Sequence, residues 1–598
     1  MAQFGPILST IHAMLPEDFP EFPSRGGFPF PLLLDLPVRL SPSRDPWGRV
    51  DVLATLTQED LSGRERALRS AAERGFHLTT WTGRGAAGSV DIGRLDILAD
   101  GEDGIYMEAA ALVYPELNDS VPEVWRSPLP SPGSGPTGSG VIVGIIDSGV
   151  DVTHPSLIGP GGQTRILRLW DQGVSSGQSP AAYNYGSEWD AHAIGLYFLG
   201  SSAPLPTVDP TGHGTAVAGI IASNGWGAGG YCVGVASSAD LIVVKLAAGR
   251  GVFPSTANVT DAVRYVFEVA EDLGKRAVVN LSQGSQLGPH DPNGQFEIQI
   301  TDVLEVNAER ILVTSAGNVG DAEAHASFQV VAGQIMDLDV DVPKGVGRHI
   351  VIDFWYDRAD SLHFEVIDPN GDHSSTVTGN NGQHRFTDEF CVFSRVPNVH
   401  GVNANQMQIE VMAFGSHVTP GHWIVRITGD RVASRRPVHA WLERGLLASP
   451  RFQAPFSDAS CTATAPAAAR GVIVAGSYLM NPTLGELAQN SSQGPDRTGN
   501  SLQMITAPGA PIISCCPAAL SNSLHLQVTG TSFAAAHVTG AIALMLEKQP
   551  TLTRDQVLKC LLQNSHTDND TQAGPSTAWG AGKLNINAAL NCCTQAHP

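Results

Sequence analysis

Runs of apolar residues that end in polar or glycine residues alternate with helical patterns through much of the chain. The runs cover residues 141–147, 241–246, 277–282, 311–318 and 472–478. Continuous rather than alternating hydrophobicity is typical of parallel strands that are covered on both faces. Between two of these runs, residues 259–273 place apolar side chains at helical spacing, and Gly274 closes the segment. The pattern predicts an α/β fold with a mostly parallel sheet flanked by helices.

A different pattern interrupts this alternation between residues 327 and 446. Short β-like runs follow one another there, separated by turn signals such as Asp368-Pro-Asn-Gly371. We interpret the segment as an inserted β-sandwich. The predicted strands cover residues 328–331, 335–342, 349–355, 362–367, 407–413, 422–428 and 438–442.

The first part of the chain has two further sequence patterns. Residues 1–47 are rich in proline and phenylalanine, which predicts an extended arm because such dense prolines do not fit helix interiors or central strands. Residues 48–118 follow the order strand, helix, strand, strand, helix, strand, which predicts a small α+β domain. The remaining predicted units are a linker at 119–139, a catalytic domain at 140–326 and 447–590 around the insertion, and a tail at 591–598.

Composition narrows the function classes. The 598 residues contain 36 Lys+Arg and 58 Asp+Glu, a formal net charge of −22, which disfavours nucleic acid and anionic membrane surfaces as partners. No run of about eighteen apolar residues occurs, so no transmembrane helix is predicted. The first twenty residues carry no Lys or Arg and are interrupted by Pro16 and Pro20, unlike a secretory signal. We therefore expect a cytoplasmic protein, with non-classical export left open.

Eight cysteines are scattered without the CxxC spacing of a metal site. Buried free thiols are the expected state for a chain without an export signal, and one or two disulfides are the alternative.

Three segments place chemically versatile residues at predicted strand or helix ends. Asp147 ends a buried strand, His213 stands between two glycines at the start of a helix, and Ser532 begins a long apolar helix. Each has a structural alternative: an Asx turn or cap for the aspartate, a structural or metal-binding role for the histidine, and an N-cap for the serine. Parallel sheets gather such ends at one edge. Together the three supply a nucleophile, a general base and a group that orients the base.

The blocks Asp147-Ser-Gly, Gly212-His213-Gly-Thr and Gly530-Thr-Ser532-Phe-Ala-Ala resemble the three signature blocks of the subtilisin-like serine proteases, in that family's order along the chain. Residues 314–318 (Thr-Ser-Ala-Gly-Asn) resemble the family's oxyanion block. The resemblance implies a Ser/His/Asp triad, with Asn318 donating its amide to the tetrahedral intermediate.

The resemblance also implies how substrate is held. Residues 280–284 are similar to the family's strand that pairs with extended substrate and borders the specificity pocket, and residues 245–249 would form the opposite wall. No cofactor is required by such chemistry, and calcium is a candidate structural ion although no EF-hand-like loop is present. The residues implied to contact substrate are Ser282, Gln283, Gly284, Ala247, Gly249, Ala316 and Gly317.

Residues 48–118 resemble the family's inhibitory propeptide, and the position of the insertion is similar to the jelly-roll insertions of clostridial germination proteases. The sequence thus predicts a serine endopeptidase that acts on polypeptides. It would be made as a zymogen, folded and inhibited by its own N-terminal domain, and would cut itself near Leu117. The alternatives are a permanently attached regulatory domain, a catalytically silent scaffold that acts by binding, and a secreted lectin-like or adhesion protein built on the insertion.

Overall fold

The computed structural model describes most of residues 135–595 and eight shorter stretches before them. The gaps after residue 135 are 160, 199–204, 206, 229–231, 247–254, 379–380, 400–401, 445–447, 481–484, 522, 572–574 and 596–598. Before residue 135 the described stretches are 3–4, 40–41, 49–56, 60–74, 76–82, 85–91, 105–109 and 116–125. The chain divides into two units, Met1–Tyr114 and Pro115–Pro598.

The first unit is built on one sheet with a helix. Its strands lie in the order β1-β6-β3-β5-β4, with β2 beside β3, and Asp60 caps the helix by accepting a hydrogen bond from the Gly63 N–H. The four predicted strands, in whole or in part, and the first predicted helix are present, while the second predicted helix of this domain and most of the proline-rich arm lie outside the described residues. Its elements are β1 Gln3–Phe4, β2 Leu40–Ser41, β3 Arg49–Leu56, α1 Leu61–Glu73, β4 Phe76–Thr82, β5 Gly85–Asp91 and β6 Ile105–Ala109.

The second unit contains the predicted parallel sheet. Eight strands lie in the order β24-β23-β12-β11-β7-β10-β8-β9, and every neighbouring pair is parallel except β8 with β9. Up to the insertion, its elements are α2 Glu116–Trp125, β7 Ile142–Asp147, β8 Ile166–Asp171, β9 Ser187–Asp190, α3 Ala191–Phe198, α4 His213–Ala222, β10 Asp240–Lys245, α5 Thr256–Asp272, β11 Ala277–Leu281, α6 Gln295–Glu305 and β12 Ile311–Ser315, with 3-10 turns at Pro155–Leu157 and Trp226–Ala228.

Continuous hydrophobicity in the strands reflects two covered faces. In β7, Val143 and Ile145 join the core that contains α4 and the long helix that carries Ser532, which we call the serine helix. Ile142 and Ile146 join the core beneath α5 and α6. Successive side chains of a strand point to opposite faces, so a strand between two helical layers must be apolar at every position. The sheet consequently holds the carboxyl end of β7, with its aspartate, in the centre of the domain.

An antiparallel sandwich is inserted between β12 and β23, as predicted. Its two sheets have the orders β13-β21-β15-β19-β18-β17 and β16-β20-β14-β22, and their inner faces share one apolar core. Strands β17, β18 and β22 were not predicted, and the strand predicted at 328–331 shares only Phe328 with β13. The sandwich strands span residues 325–452, a wider range than the predicted 327–446. The sandwich strands are β13 His325–Phe328, β14 Ile335–Val342, β15 His349–Asp357, β16 Ser361–Ile367, β17 Asn381–Arg385, β18 Glu389–Val396, β19 Ala404–Ala413, β20 Gly421–Arg431, β21 Val438–Leu442 and β22 Arg451–Phe452.

The chain then returns to the catalytic domain and ends in three helices. A capping box formed by Thr553 and Gln556 begins α8, with the Gln556 Oε1 accepting from the Thr553 N–H at 2.9 Å. The last elements are β23 Ile473–Leu479, β24 Met504–Ala510, β25 Ile512–Cys515, β26 His525–Val528, α7 Thr531–Lys548, α8 Arg554–Gln563 and α9 Ile586–Gln595.

Part of the predicted linker is a helix of the catalytic domain. Helix α2 begins at Glu116 and ends at Trp125, and Val121, Val124 and Trp125 are buried in the same core as the serine helix. The Ser120 hydroxyl lies 2.9 Å from Nε2 of His537, which is fully buried on α7. The prediction of a linker from 119 is thus wrong for residues 119–125, because the segment's few apolar side chains become a helical face only through contact with the domain.

The cysteines follow both predicted outcomes. Cys560 on α8 and Cys592 on α9 form a disulfide, and the six other cysteines are buried thiols. Within the described residues, no helix has the length and apolar character that a membrane span requires.

A stack of aromatic rings joins the sandwich to the catalytic domain. The ring of His290, from the loop after β11, lies parallel to Trp441 of β21 with centroids 4.2 Å apart. His325 and His439 continue the stack and contact each other through Nε2 and Nδ1 at 3.0 Å. Burial lowers the pKa of His290 to about 4, and it lowers the pKa values of His325 and His439 as well.

These buried histidines predict loss of stability in mild acid. Burial also lowers the pKa of His537 to about 4. Between the ordinary histidine pKa of about 6.5 and these values, the unfolded chain binds protons that the native state does not. These histidines do not lower the free energy of unfolding above pH 6.5. Below it, that free energy falls as the pH falls, by up to about 1.4 kcal/mol per pH unit for each such histidine. Glu297 and Asp353, whose pKa values burial raises to about 7 and about 6, act in the opposite direction but are fewer.

Thermal unfolding followed by circular dichroism from pH 7 to pH 4 checks this prediction. We expect the Tm to fall steadily below pH 6.5, and His325→Gln to give a lower Tm at pH 7 but a shallower fall. His422→Gln, which removes an exposed histidine, serves as the control and should leave the slope unchanged. A Tm that stays constant to pH 4.5 would contradict the prediction.

Candidate active site

The strand β7 ends in a buried carboxylate that faces a histidine. Asp147 is 1% exposed, and its Oδ1 lies 2.7 Å from the Nδ1 of His213 and accepts a 2.7 Å hydrogen bond from the Ser148 N–H. This contact fixes the proton of a neutral imidazole on Nδ1, because only a ring N–H can donate to a carboxylate. Nε2 is thereby left as the basic nitrogen.

The two positions that flank His213 require glycine for different steric reasons. Gly212 caps α4 with φ = 75°, a left-handed conformation that favours glycine. A Cβ at Gly214 would stand 2.0 Å from the carbonyl oxygen of Gly149, which lies just after Asp147. The helix can therefore approach the end of β7 only with glycine at position 214, and this approach brings the imidazole to the carboxylate.

Asp209 is a site residue for which the sequence suggested no role. It is 6% exposed, and its two carboxylate oxygens accept from the Gly212 N–H at 3.0 Å, the Thr215 N–H at 2.9 Å and the Ser148 hydroxyl at 2.8 Å. The side chain thus caps α4 and ties the helix start to the residue after Asp147. Its position four residues before His213, ahead of a glycine, was the available signal.

The charge around His213 favours its protonated form. Burial acts against protonation, but the charge of Asp147 and its hydrogen bond, with a further contribution from Asp209, raise the pKa of the imidazole above its ordinary value. A base of this kind accepts a proton more readily than a free imidazole.

Ser532 stands in the first turn of α7, beside this histidine. The residue is 4% exposed, and the ring of the adjoining Phe533 lies 5.3 Å from the His213 ring, centroid to centroid. The Ser282 hydroxyl donates to the main-chain oxygen of Ser532 at 3.3 Å, which attaches the helix start to the end of β11. The structure therefore pairs Asp147 with His213 and places the residue that follows Ser532 against the His213 ring.

Asn318 follows β12 and faces the same helix start. Its Oδ1 accepts from the Thr531 N–H at 2.9 Å and from the Thr531 hydroxyl at 3.1 Å. Because a backbone N–H can only donate, the amide oxygen must face Thr531 and the Nδ2 group points away from it. Gly530 leaves room there, since a Cβ at that position would stand 3.2 Å from Nδ2. The free N–H₂ group is thus available to an oxygen atom beside Ser532.

Two segments border this site, which we call the first wall (residues 282–286) and the second wall (residues 462–465). They pair through reciprocal backbone hydrogen bonds between Ser285 and Ala465, at 3.1 and 2.9 Å. A Cβ at Gly284 would lie 2.5 Å from the Thr464 Oγ1, so the close approach requires glycine. The second wall was not predicted, and its run of small residues is its one sequence signal.

The predicted substrate contacts fall at different depths. Gly284 is exposed and Gln283 half-buried, as expected of residues that meet a ligand. Ser282 uses its hydroxyl within the protein, and Ala316 is fully buried, with its N–H bonded to Ala475 and its carbonyl to Thr464. Ala247 and Gly249 lie outside the described residues, and Gly317, with φ = 110°, donates its N–H to the Thr531 hydroxyl at 3.1 Å.

A cavity of about 340 Å³ opens beside Asn318, between the catalytic domain and the sandwich. Among the described residues, no group of three or more His, Cys, Asp or Glu side chains is placed to hold a metal ion. The cavity is lined by Asn318, Val319, Asp321, Ala322, Ala324, Leu442, Glu443, Arg444, Ser449, Pro450, Asn490 and Thr529.

Comparison with known sequences agrees with this geometry. The sequence profile of the Subtilase family matches residues 138–422 and 450–582, more than half of the chain. The minor extracellular protease Vpr of Bacillus subtilis (strain 168) is 23% identical over 514 residues, which cover 81% of this chain and 55% of the relative. Subtilisin DY of Bacillus licheniformis is 39% identical over 85 residues, or 14% of this chain and 28% of the relative. The matched part of the chain thus spans about half the length of Vpr and less than a third of the length of subtilisin DY.

Among solved structures, the CspB protease of Clostridium perfringens superimposes with a TM-score of 0.67 at 22% sequence identity. The match covers 80% of this chain and 98% of that protein. At this identity the likeness establishes the fold.

Proposed function

The chain belongs to the subtilase family, and from this membership and the site geometry we propose that it is a serine endopeptidase acting on polypeptides. The observation that carries the proposal is the 2.7 Å contact between Asp147 and His213 beside the start of the Ser532 helix. A buried carboxylate, a correctly oriented imidazole and a serine at a helix N-terminus are the groups that nucleophilic attack on a peptide carbonyl requires.

In the proposed reaction, Ser532 Oγ attacks the carbonyl carbon of the scissile bond, and His213 Nε2 accepts the hydroxyl proton. Asp147 stabilises the imidazolium that forms and keeps its ring oriented. The tetrahedral intermediate then collapses, His213 returns the proton to the leaving amine, and water hydrolyses the acyl-enzyme by the same steps in reverse. The raised pKa of His213 suits it to hold the proton during each transfer.

The developing oxyanion would accept hydrogen bonds from the Asn318 Nδ2 group and the Ser532 backbone N–H. Thr531 supports this role, because its two hydrogen bonds to Asn318 Oδ1 hold the amide before substrate arrives. Donors that are oriented in advance stabilise the transition state without further reorganisation. The N-terminal end of α7 adds a favourable dipole at the same place.

We propose further that the N-terminal unit is a propeptide that assists folding, inhibits the enzyme and is released by cleavage near Leu117. The bond after Leu117 lies in the first turn of α2, ahead of Ser120, Val121, Val124 and Trp125, which are buried. Cleavage there would leave residues 120–125 in the catalytic core, held by the Ser120 contact to His537 and the apolar contacts of Trp125. Release of the first unit is thus compatible with an intact catalytic domain.

Reaction of the purified full chain with a fluorophosphonate probe tests the activity. We expect one probe per molecule, located on Ser532 by peptide mass spectrometry, together with hydrolysis of denatured casein. Intact mass should show a processed chain for wild type and the full chain for Ser532→Ala. A folded wild type that neither reacts nor hydrolyses would overturn the proposal and favour a scaffold that acts by binding. An active protein that keeps its full mass would overturn the processing step alone.

A further inference from the structure

The β-sandwich contacts the catalytic domain next to the two walls of the substrate site. Asp353 of β15 and Trp441 of β21 are direct cross-strand partners in the sandwich, and they are 1% and 0% exposed. Both side chains point out of the sandwich core and into the junction, where they contact main-chain groups of the catalytic domain.

Asp353 holds the chain that continues from the first wall. Its Oδ2 accepts from the Gly288 N–H at 3.0 Å and from the Trp355 indole N–H at 2.9 Å, while its Oδ1 accepts from the Gln406 amide at 2.7 Å. Burial of a carboxylate costs free energy, and an apolar side chain at this position would hold the two domains together without that cost. Trp355 and Gln406 hold the carboxylate within the sandwich, and its bond to the Gly288 N–H then fixes the position of Gly288, which lies two residues after the first wall.

Trp441 holds both walls. Its indole N–H donates to the main-chain oxygen of Cys461 at 2.9 Å, immediately before the second wall. Its ring is stacked on His290, whose Nδ1 lies 2.9 Å from the oxygen of Ala463 and whose Nε2 lies 2.9 Å from the oxygen of Gln286. The neutral imidazole donates to one of these two oxygens and lies against both walls, and the stacked tryptophan fixes the plane of that imidazole.

Both walls also contact the catalytic groups. The first wall reaches the serine helix through Ser282, and the second wall reaches the oxyanion segment through the 2.9 Å hydrogen bond from the Thr464 N–H to the Ala316 oxygen. Extended substrates bind such edges through main-chain hydrogen bonds, whose strength depends on the spacing of the edges.

We propose that Asp353 and Trp441 are positioning residues for substrate binding, through which the inserted sandwich sets the geometry of the two walls. The inference rests on the proposed protease function and deepens it, since it assigns the insertion a role in binding extended polypeptides. It predicts that the sandwich contributes to KM for long peptides and leaves the chemistry at Ser532 unaffected.

Steady-state kinetics on the full chain separate these contributions. For Trp441→Phe, which keeps a stacked ring but loses the indole donor, and for Asp353→Asn, we expect KM for a peptide with four residues before the scissile bond to rise about tenfold, the equivalent of one lost hydrogen bond. The kcat, corrected for active sites titrated with the fluorophosphonate, should stay within about threefold of wild type. The rise in KM should shrink for a single-residue ester, which does not reach along the walls.

Ile352→Val is the matched control, because Ile352 precedes Asp353 in β15 but points into the sandwich core. It destabilises the sandwich by about 1 kcal/mol without touching the walls, so its KM should equal that of wild type. If Asp353→Asn and Trp441→Phe reduce only the fraction of active enzyme and leave KM unchanged, the residues serve folding and the inference is wrong. If wild type itself does not react with the fluorophosphonate, the proposed function fails instead.

Discussion

Replacing Ser532 with alanine is expected to lower the kcat of peptide hydrolysis about a millionfold, the scale that loss of the nucleophile has in subtilisin itself. Alanine cannot form the acyl-enzyme, and the remaining oxyanion donors give only about 10³ to 10⁴-fold over the uncatalysed reaction. The change removes one hydroxyl from the first turn of a buried helix and introduces a stronger helix former. We therefore expect an unchanged circular dichroism spectrum together with the loss of hydrolysis, measured with a fluorogenic peptide.

Ser477→Ala provides a control of the same chemistry. Ser477 is a fully buried serine of β23 whose hydroxyl has no hydrogen-bond partner among the described residues. Its variant should retain the wild-type kcat. Residual hydrolysis above about one part in a thousand by purified Ser532→Ala, after contaminating protease is excluded with the probe, would assign the nucleophile to another residue.

Asp147→Asn is expected to lower kcat about ten-thousandfold, because the amide no longer selects the productive tautomer of His213 or stabilises its cation. The substitution should also shift the pH profile. Activity requires neutral His213, so it falls as the pH falls through the pKa of that residue, which lies above the ordinary value of 6.5 in the native protein. Without the carboxylate charge, the acidic limb of kcat/KM should move to lower pH.

Asp151→Asn tests whether any nearby charge has this effect. Asp151 follows Asp147 by four residues, and its carboxylate accepts hydrogen bonds from Thr153 and Ala518, outside the triad. We expect a change in kcat of less than about threefold and an acidic limb within a few tenths of a pH unit of wild type. If Asp147→Asn kept the wild-type limb, the contact seen between Asp147 and His213 would have no part in catalysis.

The triad could be predicted because its residues stand at element ends that a parallel sheet gathers. Asp147 ends an unbroken apolar strand, and the glycines beside His213 indicate a left-handed turn at Gly212 and a close approach at Gly214. Asn318 was predicted as an oxyanion donor because residues 314–318 resemble the family's oxyanion block. The orientation of its amide, however, depends on Thr531, more than two hundred residues later in the chain. That orientation requires the folded structure.

Fold prediction was accurate where hydrophobic periodicity is strong and failed where tertiary contact decides. Strands β14 and β21 have the predicted bounds. Strand β17 contains no aliphatic or aromatic side chain to indicate an edge strand. Helix α2 carries Pro122 in its interior, which normally opposes a helix, and packing of Val124 and Trp125 against the domain overrides this preference.

The junction between the sandwich and the catalytic domain could not be predicted from sequence. His290, His325, His439 and Trp441 are dispersed over some 150 positions, and each alone is an ordinary core residue. Their stacking depends on the register of β13 against β21, which places His325 opposite Trp441, and on the loop after β11 that brings His290 onto the Trp441 ring.

The sandwich leaves and rejoins its host through neighbouring strands. The Phe452 N–H in β22, the last sandwich strand, donates to the Glu323 carbonyl oxygen just before β13 at 2.8 Å, so the two crossing points lie side by side. A module whose ends meet can enter a gene in a single event without rerouting the surrounding chain or changing the order of its signature blocks. The same property makes the sandwich exchangeable in the laboratory, provided that any replacement carries counterparts of Asp353 and Trp441.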